Sequence, residues 1–236
     1  MGFFANISAA FAGGGFWMYP IAAFQIISVA IIVERAVALY GRRQATELGF
    51  VTSFEDNIRR GEMDAVVSKA QAARDSHPVA RAIQAGAQAA QNFGGKDEIQ
   101  GKMDEVLLAE NSMLDRRIGY LSMLGNVATL TGLLGTITGM IKSFAAVSQA
   151  NPTDKAAVLS VGISEAMNCT AYGLIVAIPA LVAYAILQNR ANHLSEDLNQ
   201  AALKAFNWLS FSYDPVTLRS TPGSKASGGK TTGVNA

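Results

Sequence analysis

Three long stretches of the chain carry almost no charge, and they constrain the fold more than any other feature. Phe16 to Val33 runs 18 residues without Asp, Glu, Lys or Arg, and Ile118 to Ile141 runs 24. Ala156 to Asn189 runs 34, with Glu165 as its one charged residue. A hydrocarbon core of ~30 Å takes roughly 20 mostly apolar helical residues to cross. Three transmembrane helices are therefore predicted, and the chain reads as an all-α membrane protein. A buried soluble helix or a signal peptide is the competing reading of the first stretch. A signal peptide places basic residues ahead of its apolar run, and Met1 to Pro20 contains neither Lys nor Arg. Trp17, Tyr19 and Tyr40 suit interfacial anchors at the two ends of that span.

The charged residues are gathered between the spans. Positions 34–117 hold 12 of the 19 basic and 13 of the 18 acidic residues, and the whole chain sums to +1. So even a balance removes the electrostatic case for a nucleic-acid partner. One cysteine, Cys169, excludes an internal disulfide framework and a cysteine-based zinc site. His77 and His193 are far apart and lack spaced acidic or cysteine partners, so neither a metal nor a cofactor is expected. No nucleophile motif is legible, and the chain does not read as an enzyme. Gly229-Lys230-Thr231 imitates a nucleotide-binding loop, but the pattern needs Gly five places before the Gly-Lys pair, where Ser224 stands.

Basic flanks set the expected topology. Arg35, Arg42 and Arg43 follow the first span, Arg116 and Arg117 precede the second, and Arg190 follows the third. By the positive-inside rule the N-terminus lies outside and the C-terminus inside. The expected division is an outer segment 1–15, a span 16–40, a cytoplasmic helical domain 41–117, a span 118–147, an outer loop 148–156, a span 157–189, a cytoplasmic helix 190–214 and a disordered polar tail 215–236. Within the domain, Leu48, Val51, Phe54 and Ile58 fall at helical spacing, as do Met63, Val66, Val67 and Ala70. Ser76-His77-Pro78 breaks the chain ahead of a helix over 79–91, and Gly94-Gly95 breaks it again. From Lys96 onward no Pro intervenes before the second span, which predicts one continuous rod of ~45–50 residues, about 70 Å long.

The second and third spans hold the polar residues. Thr129, Thr131, Gly132, Gly135, Thr136, Thr138 and Gly139 crowd the second. Gly135 and Gly139 make a small-xxx-small pair that admits a neighbouring helix. The hydroxyls either bond back to their own helix or form a polar stripe facing a shared interior, and composition leaves both open. In the third, Glu165, Asn168, Cys169 and Tyr172 lie at i, i+3, i+4 and i+7, with Thr170 and Gly173 adjacent. A carboxylate inside an apolar helix is a functional signal by default; the plain alternative is a Glu that snorkels to the interface. Pro179 in mid-helix frees a carbonyl and permits a bend. An acid with hydroxyls and no basic partner suits a cation or proton path, whose complementary group a second subunit would supply.

These stretches resemble the ExbB/TolQ/MotA family of bacterial ion-driven motor proteins. Val33-Glu34-Arg35 is similar to the family's Ile/Val-Glu-Arg step after the first span. Gly132-Leu133-Leu134-Gly135-Thr136-Ile137-Thr138-Gly139-Met140 resembles its GLLGTVxGI segment. Ile163-Ser164-Glu165-Ala166, Thr170-Ala171-Tyr172-Gly173-Leu174 and Ala177-Ile178-Pro179-Ala180 resemble its third-span segment. Thr138, Lys142, Cys169 and Tyr172 depart from the pattern. Three spans and a compact insert resemble the ExbB/TolQ type rather than the four-span type. The resemblance implies a homopentamer around a single-span ExbD/TolR-like partner whose membrane Asp takes and releases the proton. It implies that Thr136 and Thr170 line the pore, that Glu165 lies at or near it, and that Gly132, Gly135, Gly139, Gly173 and Pro179 serve helix packing. It also implies an inner-membrane stator energising TonB-type import, Tol-type envelope maintenance or gliding, with a TonB-like or gliding-machinery protein as a further partner. A non-conducting membrane scaffold is the rival from another class, and a secondary transporter is a second.

Overall fold

The computed structural model describes residues 15–41, 47–92 and 95–211. The expectations for residues 1–14, Arg42, Arg43, Gly94 and the polar tail, Gly229-Lys230-Thr231 included, lie outside the described residues. All regular structure described is helical. Helix α1 is Met18–Ala36, followed by a π-helical turn Val37–Gly41. Short helices α2 (Glu47–Thr52), α3 (Glu55–Arg59) and α4 (Met63–Ala72) come next. Then follow α5 (Pro78–Gln91), α6 (Lys96–Asp115), α7 (Ile118–Gln149) and α8 (Lys155–Phe211).

Three helical segments are long and apolar enough to cross a membrane: Met18–Gly41, Lys96–Gln149 and Lys155–Phe211. Their outward faces carry large exposed side chains, among them Ile26, Val29, Leu130, Ile137, Phe144, Ile175 and Ile178. Such a surface is stable only against lipid or another apolar helix. Helices α7 and α8 form an antiparallel hairpin that is the most extensive helix contact, and α1 lies against both.

The helical domain is built from α2–α6 and the C-terminal part of α8. Leu198, Ala201, Ala202, Ala205 and Leu209 recur at helical spacing on α8 and are buried with Val51, Phe54, Ile58, Val66, Ile83 and Met103. The alanine-rich inner face of α5 admits close approach, and an added Cβ at Gly86 would lie 2.7 Å from Met103 Sδ. Across α5 and α6, Arg81 donates to Glu110 at 2.6 Å, a charge-assisted bond to a carboxylate that is 4% exposed. His77 is extended, as the residue before Pro78 must be, and stacks on Phe50 with centroids 3.8 Å apart.

The structure corrects the expected rod. A chain without Pro or Gly between Asp115 and Ile118 nevertheless breaks there. Arg116 is extended (ψ 130°) and Arg117 is left-handed (φ 64°), so α6 and α7 are separate helices. Arg117 is the one positive-φ non-glycine among the described residues. The continuous rod is instead α8, whose 57 residues span about 86 Å. The third span and the C-terminal helix are one element, and α8 continues through Pro179.

Candidate functional site

Small residues bring α7 and α8 together before any polar chemistry is possible. Helices in lipid gain little from burying apolar surface against each other, so close approach and hydrogen bonding must hold them. A Cβ added at Gly139 would lie 3.0 Å from the Ala166 Cβ, one at Gly132 3.2 Å from the Cys169 carbonyl, and one at Gly173 2.9 Å from the Ala128 carbonyl. One at Gly135 would overlap Cys169 Sγ. These four glycines form a ladder along the seam, each filled by backbone or a small side chain of the opposite helix. Pro179 lies outside that ladder, on the exposed side of α8.

This approach places Thr136 and Thr170 in hydrogen-bond contact across the two helices. Thr136 Oγ1 is also placed to donate to the Gly132 carbonyl (3.2 Å) and the Ala166 carbonyl (3.3 Å), and Thr170 Oγ1 to the Gly132 carbonyl (3.1 Å). Two hydroxyls have two hydrogens between them, fewer than these acceptors could take. The cluster is rich in lone pairs, and its protons can be rearranged by rotating the hydroxyls. The other threonines of the stripe behave differently. Thr129, Thr131 and Thr138 donate to Gly125, Val127 and Leu134 of their own helix at 3.1, 2.7 and 3.0 Å. The two readings of the stripe therefore meet at Thr136, which bonds back to Gly132 and also across to α8, while these three bond back.

The polar face of α8 turns toward α1. Glu165 is exposed to the surroundings of the single chain, and its carboxylate lies against Gly15, at the entry to α1. Negative charge is favoured at that end of a helix. Cys169 is buried among Met18, Ile21 and Ala128, with Trp17 beside them. The Tyr172 hydroxyl donates to Gln25 Oε1. Glu165, Cys169 and Tyr172 thus each meet α1, whereas Thr170 meets Thr136. Gln25 was missed in the sequence; its signal was a lone amide in an otherwise apolar span.

At the other end of α1, Glu34 and Arg35 clasp the α6–α7 break. Arg117 Nη1 reaches both Glu34 oxygens at 2.8 Å, and Arg35 donates to the Met113 carbonyl in the last turn of α6 at 3.4 Å. Arg35 also pairs with Glu34 at 3.0 Å. Among the described residues no three His, Cys, Asp or Glu side chains converge in a way that could hold a metal ion.

Comparison with known proteins places this geometry in context. Residues 74–200, more than half of the chain, match the MotA/TolQ/ExbB proton channel family. The biopolymer transport protein ExbB of Salmonella typhimurium is 33% identical over 111 residues, covering 47% of this chain and 45% of that protein. The Tol-Pal system protein TolQ of Haemophilus influenzae is 37% identical over 102 residues, covering 42% and 44%. An ExbB-like 3 protein of Synechocystis is 31% identical over 171 residues, covering 72% of this chain and 79% of its own. The chain spans less than half the length of the first two relatives and most of the third.

Proposed function

The chain belongs to the MotA/TolQ/ExbB proton channel family, and from that membership we propose that it is the stator subunit of an inner-membrane motor driven by the proton motive force. The observation that carries the proposal is the Thr136–Thr170 contact between two membrane helices, with its surplus of lone pairs. A single-span partner of the ExbD/TolR type brings an Asp to this level inside a homopentamer. As a carboxylate it draws a hydroxyl away from its carbonyl. The carbonyl loses little, because the helix's own amide still donates to it. Once protonated, the Asp no longer attracts the hydroxyls and the partner steps on. Glu165 stands beyond Thr170 on the outer side of this path, and Gly132, Gly135, Gly139 and Gly173 hold the two lining helices at the required separation.

The N-terminus is proposed to lie in the periplasm, with the helical domain and C-terminus in the cytoplasm, because Arg35, Arg116, Arg117 and Arg190 flank the spans on one side. The load is proposed to be TonB-type import, through a TonB-like protein. The likeness to TolQ supports Tol-type envelope maintenance as a second reading of the same motor.

The test is Thr136→Val and Thr170→Val, which keep the shape and remove the hydroxyls. The chain is reconstituted in vesicles with its single-span partner, and proton entry is followed with an enclosed pH-sensitive dye. Each variant is expected to co-purify with the partner and to lose most of the flux. Full flux in both variants would overturn the role given to these hydroxyls, and wild-type flux no greater than that of empty vesicles would support the non-conducting scaffold instead.

A further inference from the structure

Thr170 and Tyr172 stand two residues apart on α8, so about 200° of helix separates them and their side chains leave opposite sides of it. Thr170 meets Thr136 of α7, and the Tyr172 hydroxyl donates to Gln25 Oε1 of α1. Helix α8 is thus held by a polar contact on each flank at one level of the membrane. Its other surroundings there resist a roll only weakly. The seam with α7 is a glycine ladder, which brings the backbones close but offers few side chains to interlock. On the other flank, Cys169 and Val176 are buried in one apolar cluster with Met18 and Ile21 of α1. Apolar contact has no preferred direction, whereas a hydrogen bond has one. Gln25, in turn, belongs to a helix that is footed elsewhere. Nine residues further along α1, Glu34 accepts from Arg117 at 2.8 Å, and the adjacent Arg35 donates to the Met113 carbonyl at 3.4 Å. The tie from Tyr172 therefore leads through α1 to the α6–α7 break, and not back to α8.

We propose that Tyr172 is a positioning residue for proton transfer, a role that rests on the stator reading of the same site. Its bond to Gln25 fixes the roll of α8, and with it the direction in which Thr170 presents its hydroxyl. Without that bond α8 rolls more freely, and Thr170 spends less of its time beside Thr136. Tyr172 is one of the residues at which this chain departs from the family pattern, so the tie is a feature of this chain and not of the shared motif.

The experiment reconstitutes the full chain with its single-span partner in vesicles and follows proton entry with the enclosed dye, normalised to the amount of complex. Tyr172→Phe, which keeps the ring, is expected to lower flux about threefold, the factor that an average hydrogen bond between membrane helices supplies. Gln25→Leu lowers it by the same factor, and the double variant lowers it no further, which isolates this pair from every other contact of Tyr172. Tyr184→Phe removes a hydroxyl about three turns further along α8 and leaves flux unchanged. NMR of methyl-labelled threonine reports Thr170 directly. Its methyl signal, assigned by its loss in Thr170→Val, shifts or broadens in Tyr172→Phe and stays in place in Tyr184→Phe. Wild-type flux in Tyr172→Phe, an additive double variant, an equal loss in Tyr184→Phe, or an unmoved Thr170 signal overturns the proposal and leaves the stator reading standing. Loss of the partner from either single variant makes the pair an assembly contact and overturns it as well. Wild-type flux no greater than that of empty vesicles overturns both.

Discussion

Arg117, left-handed between α6 and α7, places Nη1 2.8 Å from both carboxylate oxygens of Glu34 at the C-terminal end of α1. The two effects at this residue have opposite signs and different sizes. A non-glycine in the left-handed region costs about 1–2 kcal/mol. An exposed ion pair returns less than that, because water screens it, and these side chains are 44% and 43% exposed. The pair alone does not offset the strain; the buried Leu114, Ile118 and Leu121 on either side hold the break in place.

That ordering of magnitudes predicts how substitutions at the break behave. Arg117→Ala loses the pair and keeps the strain, whereas Arg117→Gly loses the pair and the strain together. The Gly variant is expected to be about 1 kcal/mol more stable than the Ala variant. Thermal unfolding in detergent, followed by circular dichroism, measures the difference, and an Ala variant as stable as the Gly variant would contradict it.

The glycine ladder predicts a rescue. Gly135→Ala drives a methyl into Cys169 Sγ, while Gly173→Ala drives one toward the Ala128 backbone carbonyl. Overpacking of this kind costs about 1–3 kcal/mol. Cys169→Ala should restore much of the stability of Gly135→Ala and none of that of Gly173→Ala, because a backbone carbonyl cannot be trimmed. Equal response of the two glycine variants to Cys169→Ala would refute the assignment.

The Tyr172–Gln25 bond predicts non-additivity. Removing one partner leaves the other's polar atom without its bond inside the membrane, at a cost of roughly 0.6–1.7 kcal/mol. Tyr172→Phe and Gln25→Leu are each expected to lower stability by that amount, and the double variant to lie closer to wild type than their sum. Strictly additive melting shifts would rule the bond out as a stabilising contact.

In the helical domain, His77 gives stability a pH slope. Burial holds its imidazole below the ordinary histidine range, despite the Glu47 carboxylate 3.6 Å from Nδ1. The unfolded chain then binds a proton more readily than the folded one. The stabilisation is complete above the unfolded value of about 6.5 and is lost as pH falls through the lower folded value. His77→Phe keeps an aromatic ring to stack on Phe50 and should flatten that slope. Unfolding titrations at several pH values provide the check, and an unchanged slope in the variant would remove His77 as its source.

How much of this was legible depends on which force fixed each feature. The three spans were, because hydropathy over 18 or more residues is a local property that a bilayer reads directly. The Ser76-His77-Pro78 break was also legible, because Pro78 restricts His77 without help from the fold. The break at Arg116-Arg117 was not: neither residue stops a helix, and the contacts of Glu34 and Arg35 that accompany it come from about 80 residues earlier in the chain. Of the site, composition marked the threonine stripe without separating Thr136 from Thr129, Thr131 and Thr138, and it was the family resemblance that singled out Thr136 and Thr170; their meeting depends on the register of two helices. The same register turned Glu165, Cys169 and Tyr172 toward α1, which spacing along α8 alone does not specify.

Helices α7 and α8 share one seam in the membrane but connect to the helical domain differently. Helix α8 runs on as one helix from Thr170 through Pro179 to the buried Leu198–Leu209 face, so its membrane part and its part in the helical domain are a single element. Helix α7 ends at a knuckle. A displacement of α8 beside Thr170 would therefore be carried out of the membrane along one continuous helix, whereas one of α7 would first meet the break at Arg116-Arg117.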